Sequence, residues 1–180
     1  VDIKGFFDNV DHGKLLKQLW TLGIRDKQLL CVLSKMLKAP IQGEGVPTKG
    51  VPQGGILSPL LSNVVLNELD WWIASQWEEF PQLQRYRSRP HYKGNGTLKQ
   101  VYLVRYADDF KLFCKCRGDA EKIFAATTMW LKERLGMDIS PGKSKIVNLK
   151  KGYSDFLGFK LKLRPKSGKW VLKSHMADKA

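Results

Sequence analysis

The chain has 180 residues, and its hydrophobic fraction of 43% suits one packed domain and excludes a wholly disordered chain. Lys and Arg outnumber Asp and Glu by 31 to 17, which gives a net charge of +14. The excess is confined to residues 81–180, which hold 23 basic and 8 acidic side chains, whereas residues 1–80 hold 8 and 9. This uneven distribution indicates a polyanionic partner, with nucleic acid favoured over an acidic membrane surface.

Hydropathy and cysteine content exclude two further classes of protein. No apolar run approaches the roughly 20 residues that span a bilayer, so no membrane is expected as a partner. Three cysteines cannot form a disulfide framework, which predicts a reducing compartment.

Two amphipathic helices are predicted after a short strand at residues 1–6. Leucines at helical spacing indicate the first helix, over residues 12–20. Asp26 is suited to cap the second helix, and Pro40 ends it. The expected buried stripe of this second helix consists of Leu29, Leu30, Leu33, Met36 and Leu37.

The middle of the chain begins with turns and ends in a basic segment. Residues 41–55 are rich in Gly and Pro, which predicts a hairpin and a tight loop. Ser58 and Pro59 are typical of a helix start, with Ser58 as the N-cap. Residues 81–99 are basic and poor in apolar side chains, so we expect a surface excursion there.

A β-hairpin is predicted on the far side of this excursion. Side chains alternate along residues 101–106 and again along residues 110–116, as they do in half-buried strands. Asp108 and Asp109 lie between the two runs, which places a two-carboxylate turn at the tip of the hairpin.

The remaining elements complete an α+β pattern. A helix is predicted over residues 118–135 with Gly136 at its C-terminal cap. Three short strands are expected around residues 145–149, 155–163 and 169–172. The element order predicts an α+β fold in which an antiparallel sheet carries helices packed on one face, with the Asp108–Asp109 hairpin at its edge.

Three aspartates form the candidate catalytic group. Asp2 lies on the predicted first strand, and Asp108 and Asp109 occupy the hairpin turn, where ordinary turn chemistry is the alternative explanation. Three carboxylates at one sheet edge would suit two divalent cations, which can hold the attacking and leaving oxygens of a phosphoryl transfer. Asp8 and Asp11 are better explained as caps of the following helix.

Five motifs occur in a fixed order: VDIKGFFDNVDH, GVPQGGILSPLLSNVVLNELD, RYADDF, GMDISPGKSKI and DFLGFKL. In order and spacing they resemble the palm of reverse transcriptases, and most of all those encoded by group II introns, which double as maturases. The resemblance covers nearly the whole chain. It implies a right-hand polymerase palm, with residues 1–163 as palm and partial fingers and residues 164–180 leading toward the thumb. The N-terminal fingers are then absent, and this segment alone is expected to be inactive.

The resemblance also assigns roles at the candidate site. Asp2, Asp108 and Asp109 match the carboxylates that bind two Mg²⁺ ions, for which Mn²⁺ could substitute. Lys143 matches the residue proposed to protonate the pyrophosphate leaving group, with Lys145 as a rival. Phe7 matches the aromatic ring that excludes ribonucleotides, although a core position is the simpler alternative. The full set of implied nucleotide contacts is Ile3, Phe7, Gln53, Gly54, Tyr106 and Ala107.

Basic residues in the second half are the candidates for RNA binding, with a merely solvated surface as the alternative. They are Arg85, Arg87, Arg89 and Lys93 on the excursion, and Lys150, Lys151, Lys160 and Lys162 near the end, followed by Arg164 and Lys166.

The function implied by the resemblance is that of an RNA-dependent DNA polymerase that also binds intron RNA as a maturase. The implied partners are intron RNA, an RNA template, a DNA primer and deoxynucleoside triphosphates, with a homodimer as one option. A cytoplasmic bacterial ribonucleoprotein is expected, and an organelle is the alternative location. The competing hypothesis is an RNA-binding maturase scaffold without polymerase activity, and a palm-like nucleotide cyclase is a weaker third.

Overall fold

The structure is a computed structural model that describes residues 1–41, 43, 45–52, 54–78 and 101–177. It divides into two compact units, Val1–Lys143 and Ser144–Ala180. Both contain antiparallel strands, and the first also contains the helices. The predicted α+β class is therefore confirmed. The predicted domain boundary after residue 163 stays a prediction.

Four α-helices lie in the described part of the first unit. They are α1 (His12–Thr21), α2 (Lys27–Leu37), α3 (Ser58–Ile73) and α4 (Arg117–Trp130). Asp26 caps α2 as predicted, because its carboxylate accepts the Gln28 amide at 2.8 Å. Helix α4 continues as the π-helical segment Leu131–Leu135 and ends at Gly136, whose φ of 72° is the left-handed conformation of a glycine cap.

The first sheet is built on a hairpin of β1 (Val101–Tyr106) and β2 (Asp109–Cys114). Tyr106 pairs with Asp109, so the loop between the strands has two residues. Of the strand predicted at residues 1–6, only two bridges remain, from Asp2 to Asp109 and from Ile3 to Ile139. These bridges extend the hairpin by two further segments.

The core of the first unit lies between this sheet and the helices. One face of α3 supplies Leu66, Leu69 and Ile73, each with no exposed surface. From the sheet side Phe110 is equally buried. Segments distant in sequence are thereby held against α3, the central helix of the unit.

The second unit contains a three-stranded antiparallel sheet in the order β3-β4-β5. The strands are β3 (Ser154–Phe156), β4 (Phe159–Lys166) and β5 (Lys169–Met176). The strand predicted at residues 145–149 is wrong. The Leu149 carbonyl accepts the Leu163 amide at 2.9 Å, but within the described part of the chain this segment forms no ladder with a neighbouring strand.

Two other local predictions are wrong for identifiable physical reasons. Helix α2 buries only Leu37 fully, while Leu29 and Met36 are 45% and 50% exposed, because periodicity defines an apolar face without supplying a neighbour for it. Ser58 is not the N-cap of α3, since the cap residue is Leu57. The Ser58 hydroxyl instead donates to the Pro52 carbonyl.

Two exclusions from the sequence can be compared with the structure. In the ranges given above, no helix combines the length and apolar character needed to cross a membrane. Cys31, Cys114 and Cys116 are all free thiols.

We expect Leu69→Ala to lower the free energy of unfolding by about 2–5 kcal/mol, because it opens a cavity on the buried face of α3. Leu60 on the same helix is 60% exposed, and Leu60→Ala should cost less than about 1 kcal/mol. Urea unfolding of the two variants measures the difference. Equal losses would contradict the assignment of the core face.

Candidate active site

Residues 1–4 link two distant parts of the first unit. On one side the Phe110 amide donates to the Val1 carbonyl at 3.2 Å. On the other side the Ser140 amide donates to the Asp2 carbonyl at 2.8 Å. Backbone hydrogen bonds on both flanks therefore hold the position of Asp2.

Asp2 and Asp109 are direct partners in an antiparallel bridge. Their side chains thus lie on the same face of the sheet, with Cβ atoms about 4.5–5.5 Å apart as in any such pair. Both residues are half-buried. Like charges directly opposite each other are unfavourable in a sheet, so a cation between them would relieve the repulsion.

The hairpin loop next to this pair consists of Ala107 and Asp108. Ala107 has a φ of 51° at the first central position, as in a type II′ turn, where Gly is the usual residue. Non-glycine residues with positive φ are uncommon and cluster at functional sites. The strained turn places Asp108 immediately before Asp109 at the end of the sheet.

The predicted three-aspartate set is therefore a facing pair, Asp2 and Asp109, with Asp108 adjacent in sequence. Within the described ranges, no group of three or more His, Cys, Asp or Glu side chains is arranged to hold a metal ion. The donor chemistry still fits Mg²⁺, which commonly binds one or two protein carboxylates and fills its remaining positions with water and substrate phosphates.

Lys143 lies beside the aspartates. Its Nζ is 3.9 Å from Oδ2 of Asp2, and its side chain is 75% exposed. Such an exposed pair adds little stability, so its relevance lies in bringing an ammonium group to the carboxylates. Lys145, the rival candidate, belongs to the second unit.

An open cleft of about 530 Å³ lies near the start of α3, and it is the candidate nucleotide pocket. Its lining residues are Phe7, Gly54, Gly55, Ser58 and Pro59. Two of the predicted nucleotide contacts, Phe7 and Gly54, thus line the same cleft, whereas Gln53 lies outside the described residues.

The other predicted nucleotide contacts differ in exposure. Phe7 is half-buried, whereas its neighbour Phe6 is the buried core residue, 2% exposed, and packs edge-on against it with ring centroids 5.3 Å apart. The Ile3 side chain is also buried in the core, so any contact with a nucleotide would have to come from its backbone. Tyr106 is 67% exposed, and Ala107 is half-buried.

Two glycines line this cleft. A Cβ at Gly55 would lie 2.8 Å from Oγ of Ser58 and 3.2 Å from the Pro52 carbonyl oxygen, so no larger residue fits there without a shift. Gly54 has a φ of +79°, and among the described residues no atom lies within 4 Å of the position that a Cβ would take there. Because Gly54 and Gly55 lack side chains, their backbone atoms line the cleft.

His12 is a buried polar residue that the sequence left without a role. Its Nε2 lies 2.7 Å from the Gly50 carbonyl oxygen, and the next amide, of Val51, donates to the Phe7 carbonyl at 2.7 Å. A Cβ at Gly50 would lie 3.2 Å from the carbonyl oxygens of Phe7 and Asp8. The backbone of Gly50 and Val51 therefore lies directly against Phe7 and Asp8.

Arg105 is a second residue whose role the sequence did not indicate. Its side chain is 12% exposed and forms an ion pair with Asp70 of α3, with Nη2 and Oδ2 2.5 Å apart. The sequence did contain one signal, a charged arginine among the apolar and aromatic side chains of β1. It did not indicate the partner, which is distant in sequence.

Cys114 lies in surroundings that favour the neutral thiol. Burial raises the pKa of its thiol, and the nearby Asp119 carboxylate raises it further. The reactive form of cysteine is the thiolate, which is therefore disfavoured here.

The RNA-binding candidates fall in two regions. Arg85, Arg87, Arg89 and Lys93 lie outside the described residues, whereas the other candidates belong to the second unit. The β4–β5 register puts the cations of both strands on one face of the second sheet. The paired residues on this face are Lys160 with His175, Lys162 with Lys173, Arg164 with Val171 and Lys166 with Lys169.

Comparison with known proteins decides the family. The family described as reverse transcriptase (RNA-dependent DNA polymerase) matches residues 1–161. The chain belongs to the reverse transcriptase family. The resemblance inferred from the five motifs is thereby confirmed. Reverse transcriptase domains generally use divalent metal ions, in keeping with the carboxylate donors of this site.

Several relatives are proteins encoded by introns. The COX1/OXI3 intron 2 protein of Saccharomyces cerevisiae is 31% identical over 203 residues, covering 92% of this chain and 24% of the relative. Protein YkfC of Escherichia coli is 32% identical over 174 residues, covering 89% and 45%. The group II intron-encoded protein LtrA of Lactococcus lactis is 29% identical over 207 residues, covering 91% and 34%. The reverse transcriptase chain thus spans less than half the length of these relatives.

Proposed function

We propose that this chain carries the polymerase centre of an RNA-dependent DNA polymerase of the group II intron-encoded type. The proposal rests on the antiparallel pairing of Asp2 with Asp109 beside the Ala107–Asp108 turn. Deoxynucleoside triphosphates, a DNA primer and an RNA template are the proposed substrates. Family membership and the intron-encoded relatives support the same reaction class.

Asp2, Asp108 and Asp109 are the residues that would hold two Mg²⁺ ions, or Mn²⁺ as a substitute. Bound there, the ions would stabilise the charge that develops on the attacking and leaving oxygens of nucleotidyl transfer. The Phe7 cleft would orient the sugar of the incoming nucleotide. Lys143, through its Nζ, would hold the proton that the pyrophosphate leaving group takes up.

We expect Asp108→Asn in the full-length protein to reduce Mg²⁺-dependent primer extension on an RNA template by at least about a hundredfold. The amide keeps the volume of the side chain but removes the charge that would attract the cation. RNA affinity, measured on the same preparation, should remain close to that of the wild type.

The matched control is Asp26→Asn on α2, because Asn also caps a helix and should leave extension unchanged. Extension by Asp108→Asn at the wild-type rate would reject the metal-binding assignment. RNA binding without any extension by the wild type would favour the alternative, an RNA-binding maturase scaffold without polymerase activity.

We expect Phe7→Val to increase incorporation of ribonucleotides relative to deoxyribonucleotides by tenfold or more, because a smaller side chain leaves room for a 2′-hydroxyl; about 1.4 kcal/mol of discrimination corresponds to this factor. Competition between the two nucleotide types during primer extension measures the ratio. An unchanged ratio, with lower thermal stability, would assign Phe7 to the core alone.

RNA binding, including maturase-type binding of intron RNA, is proposed for the cationic face of the second sheet. Lys162 and Lys173 are direct cross-strand partners, as are Lys166 and Lys169. Like charges directly opposite each other destabilise a sheet, and bound phosphates would offset that cost. Arg164 adds a guanidinium, which can bind a phosphate through two hydrogen bonds.

We expect replacement of Lys162, Arg164 and Lys166 by Gln to reduce the salt dependence of RNA affinity by up to about 2 units of log–log slope, since each phosphate neutralised on a single strand contributes about 0.7. Affinity should fall similarly for unrelated RNAs. The measurement is a salt titration of RNA binding by both forms.

A matched triple variant replaces Lys27, Lys35 and Lys38, which are exposed on or next to α2, by Gln. Its slope should equal that of the wild type. Identical slopes for both triple variants would remove the second sheet from the RNA-binding surface and leave the basic residues 85–93 as candidates.

A further inference from the structure

Arg105 is bound by an unusually complete set of acceptors. Its Nε donates to Oδ1 of Asp70 at 2.8 Å and its Nη2 to Oδ2 at 2.5 Å, which is a two-armed contact between guanidinium and carboxylate. Its Nη1 donates to Oδ1 of Asn63 at 2.8 Å and to the Ala107 carbonyl at 2.9 Å. Four of the hydrogen bonds that the guanidinium can donate are thus assigned to three residues.

The two helical partners of Arg105 lie on one side of α3. Asn63 and Asp70 are seven positions apart, which is about two helical turns and returns to the same face. The helix is itself fixed, because Leu66 and Leu69, between these two residues, are fully buried. The third partner, Ala107, is in the turn that precedes Asp108. Arg105 therefore ties this turn to two points on a rigid helix.

The turn needs such an anchor for two reasons. Ala107 has a φ of 51°, a conformation that an alanine adopts only when its surroundings enforce it. In addition, the turn leads into Asp109, which faces Asp2, so like charges work to separate the hairpin end from residue 2. Asp70 balances the charge of Arg105, which can thus bind the Ala107 carbonyl without acting as a competing cation.

We propose that Arg105 is a positioning residue for nucleotidyl transfer: together with Asp70 and Asn63 it clamps the Ala107–Asp108 turn to α3 and so fixes the aspartates. This inference rests on the proposed polymerase function. A purely stabilising ion pair between β1 and α3 is the alternative that the experiment must separate from it.

The first test is Arg105→Lys in the full-length protein. A lysine keeps the charge but cannot reproduce the fork, so the carbonyl of Ala107 loses its partner. We expect kcat for primer extension to fall at least tenfold, while KM for the nucleotide and the affinity for RNA change less than twofold. Arg117→Lys is the matched control, because Arg117 forms an exposed ion pair with Glu121 on α4 and should leave kcat unchanged.

The second test is rescue by Ala107→Gly. Glycine adopts positive φ without strain. If Arg105→Lys acts by disturbing the turn, adding Ala107→Gly should raise kcat at least threefold above that of Arg105→Lys alone. A stabilising ion pair would show no such rescue. If Arg105→Lys does not fold, Asn63→Ala replaces it as the test, because this change removes one exposed acceptor and leaves no charge unpaired. Asn63→Ala should also lower kcat.

Amide hydrogen exchange separates failure of the clamp from failure of the proposed function. In Arg105→Lys, exchange across residues 106–110 should accelerate at least tenfold, while exchange in α4 stays unchanged. If the wild type extends no primer, the polymerase proposal fails and this exchange result alone decides whether the clamp exists. Unchanged exchange and unchanged kcat, or a lost kcat that Ala107→Gly leaves unrescued, would overturn the positioning role.

Discussion

The backbone pairing of Val1 and Asp2 with the start of β2 is the contact on which the candidate site depends. The Val1 backbone nitrogen and the Phe110 carbonyl oxygen, 109 positions apart, lie 2.7 Å from each other, and the Phe110 amide donates back to the Val1 carbonyl. Closing so large a loop costs entropy, which the buried α3 core and the second flank at Ser140 help to offset. The pairing forces two carboxylates to face each other. The fold thus places two negative charges opposite each other, and a bound cation would reduce their repulsion.

Strained or glycine-dependent backbone occurs at the places where chemistry is proposed, and also in the turns of the second sheet, where Leu157 and Ser167 have φ values of 51° and 49°. Gly50 lies directly on the carbonyls of Phe7 and Asp8, Gly55 leaves no room for a Cβ, and Ala107 holds a positive φ without being glycine. Elsewhere in the first unit, α1 and α2 are capped in the ordinary way, by the carboxylates of Asp11 and Asp26. Departures from local preference that surrounding contacts hold in place are typical of functional sites.

What could be predicted from the sequence was whatever depends on neighbours in the chain. The Asp26 cap, the Gly136 cap and the β1–β2 hairpin are signals spread over a few residues, and the structure has each of them. The exposed stripe of α2 was missed because an apolar pattern does not specify its partner. Ser58 was misassigned because its hydroxyl bonds to Pro52 outside the helix. The Arg105–Asp70 pair was missed since no local signal links residues 35 positions apart.

The two units differ in how their charged side chains are paired. In the first unit, the largely buried guanidinium of Arg105 is paired with the Asp70 carboxylate. In the second unit, β4 and β5 place lysines opposite lysines at a cost in sheet stability, and of these Lys162 is half-buried against Tyr153 while the others are exposed. Exposed like charges are stabilised by a polyanion that brings negative charge at regular spacing, which a nucleic-acid backbone does. The carboxylate pair proposed to bind metal ions lies in the first unit, and the cationic sheet face proposed to bind phosphates lies in the second.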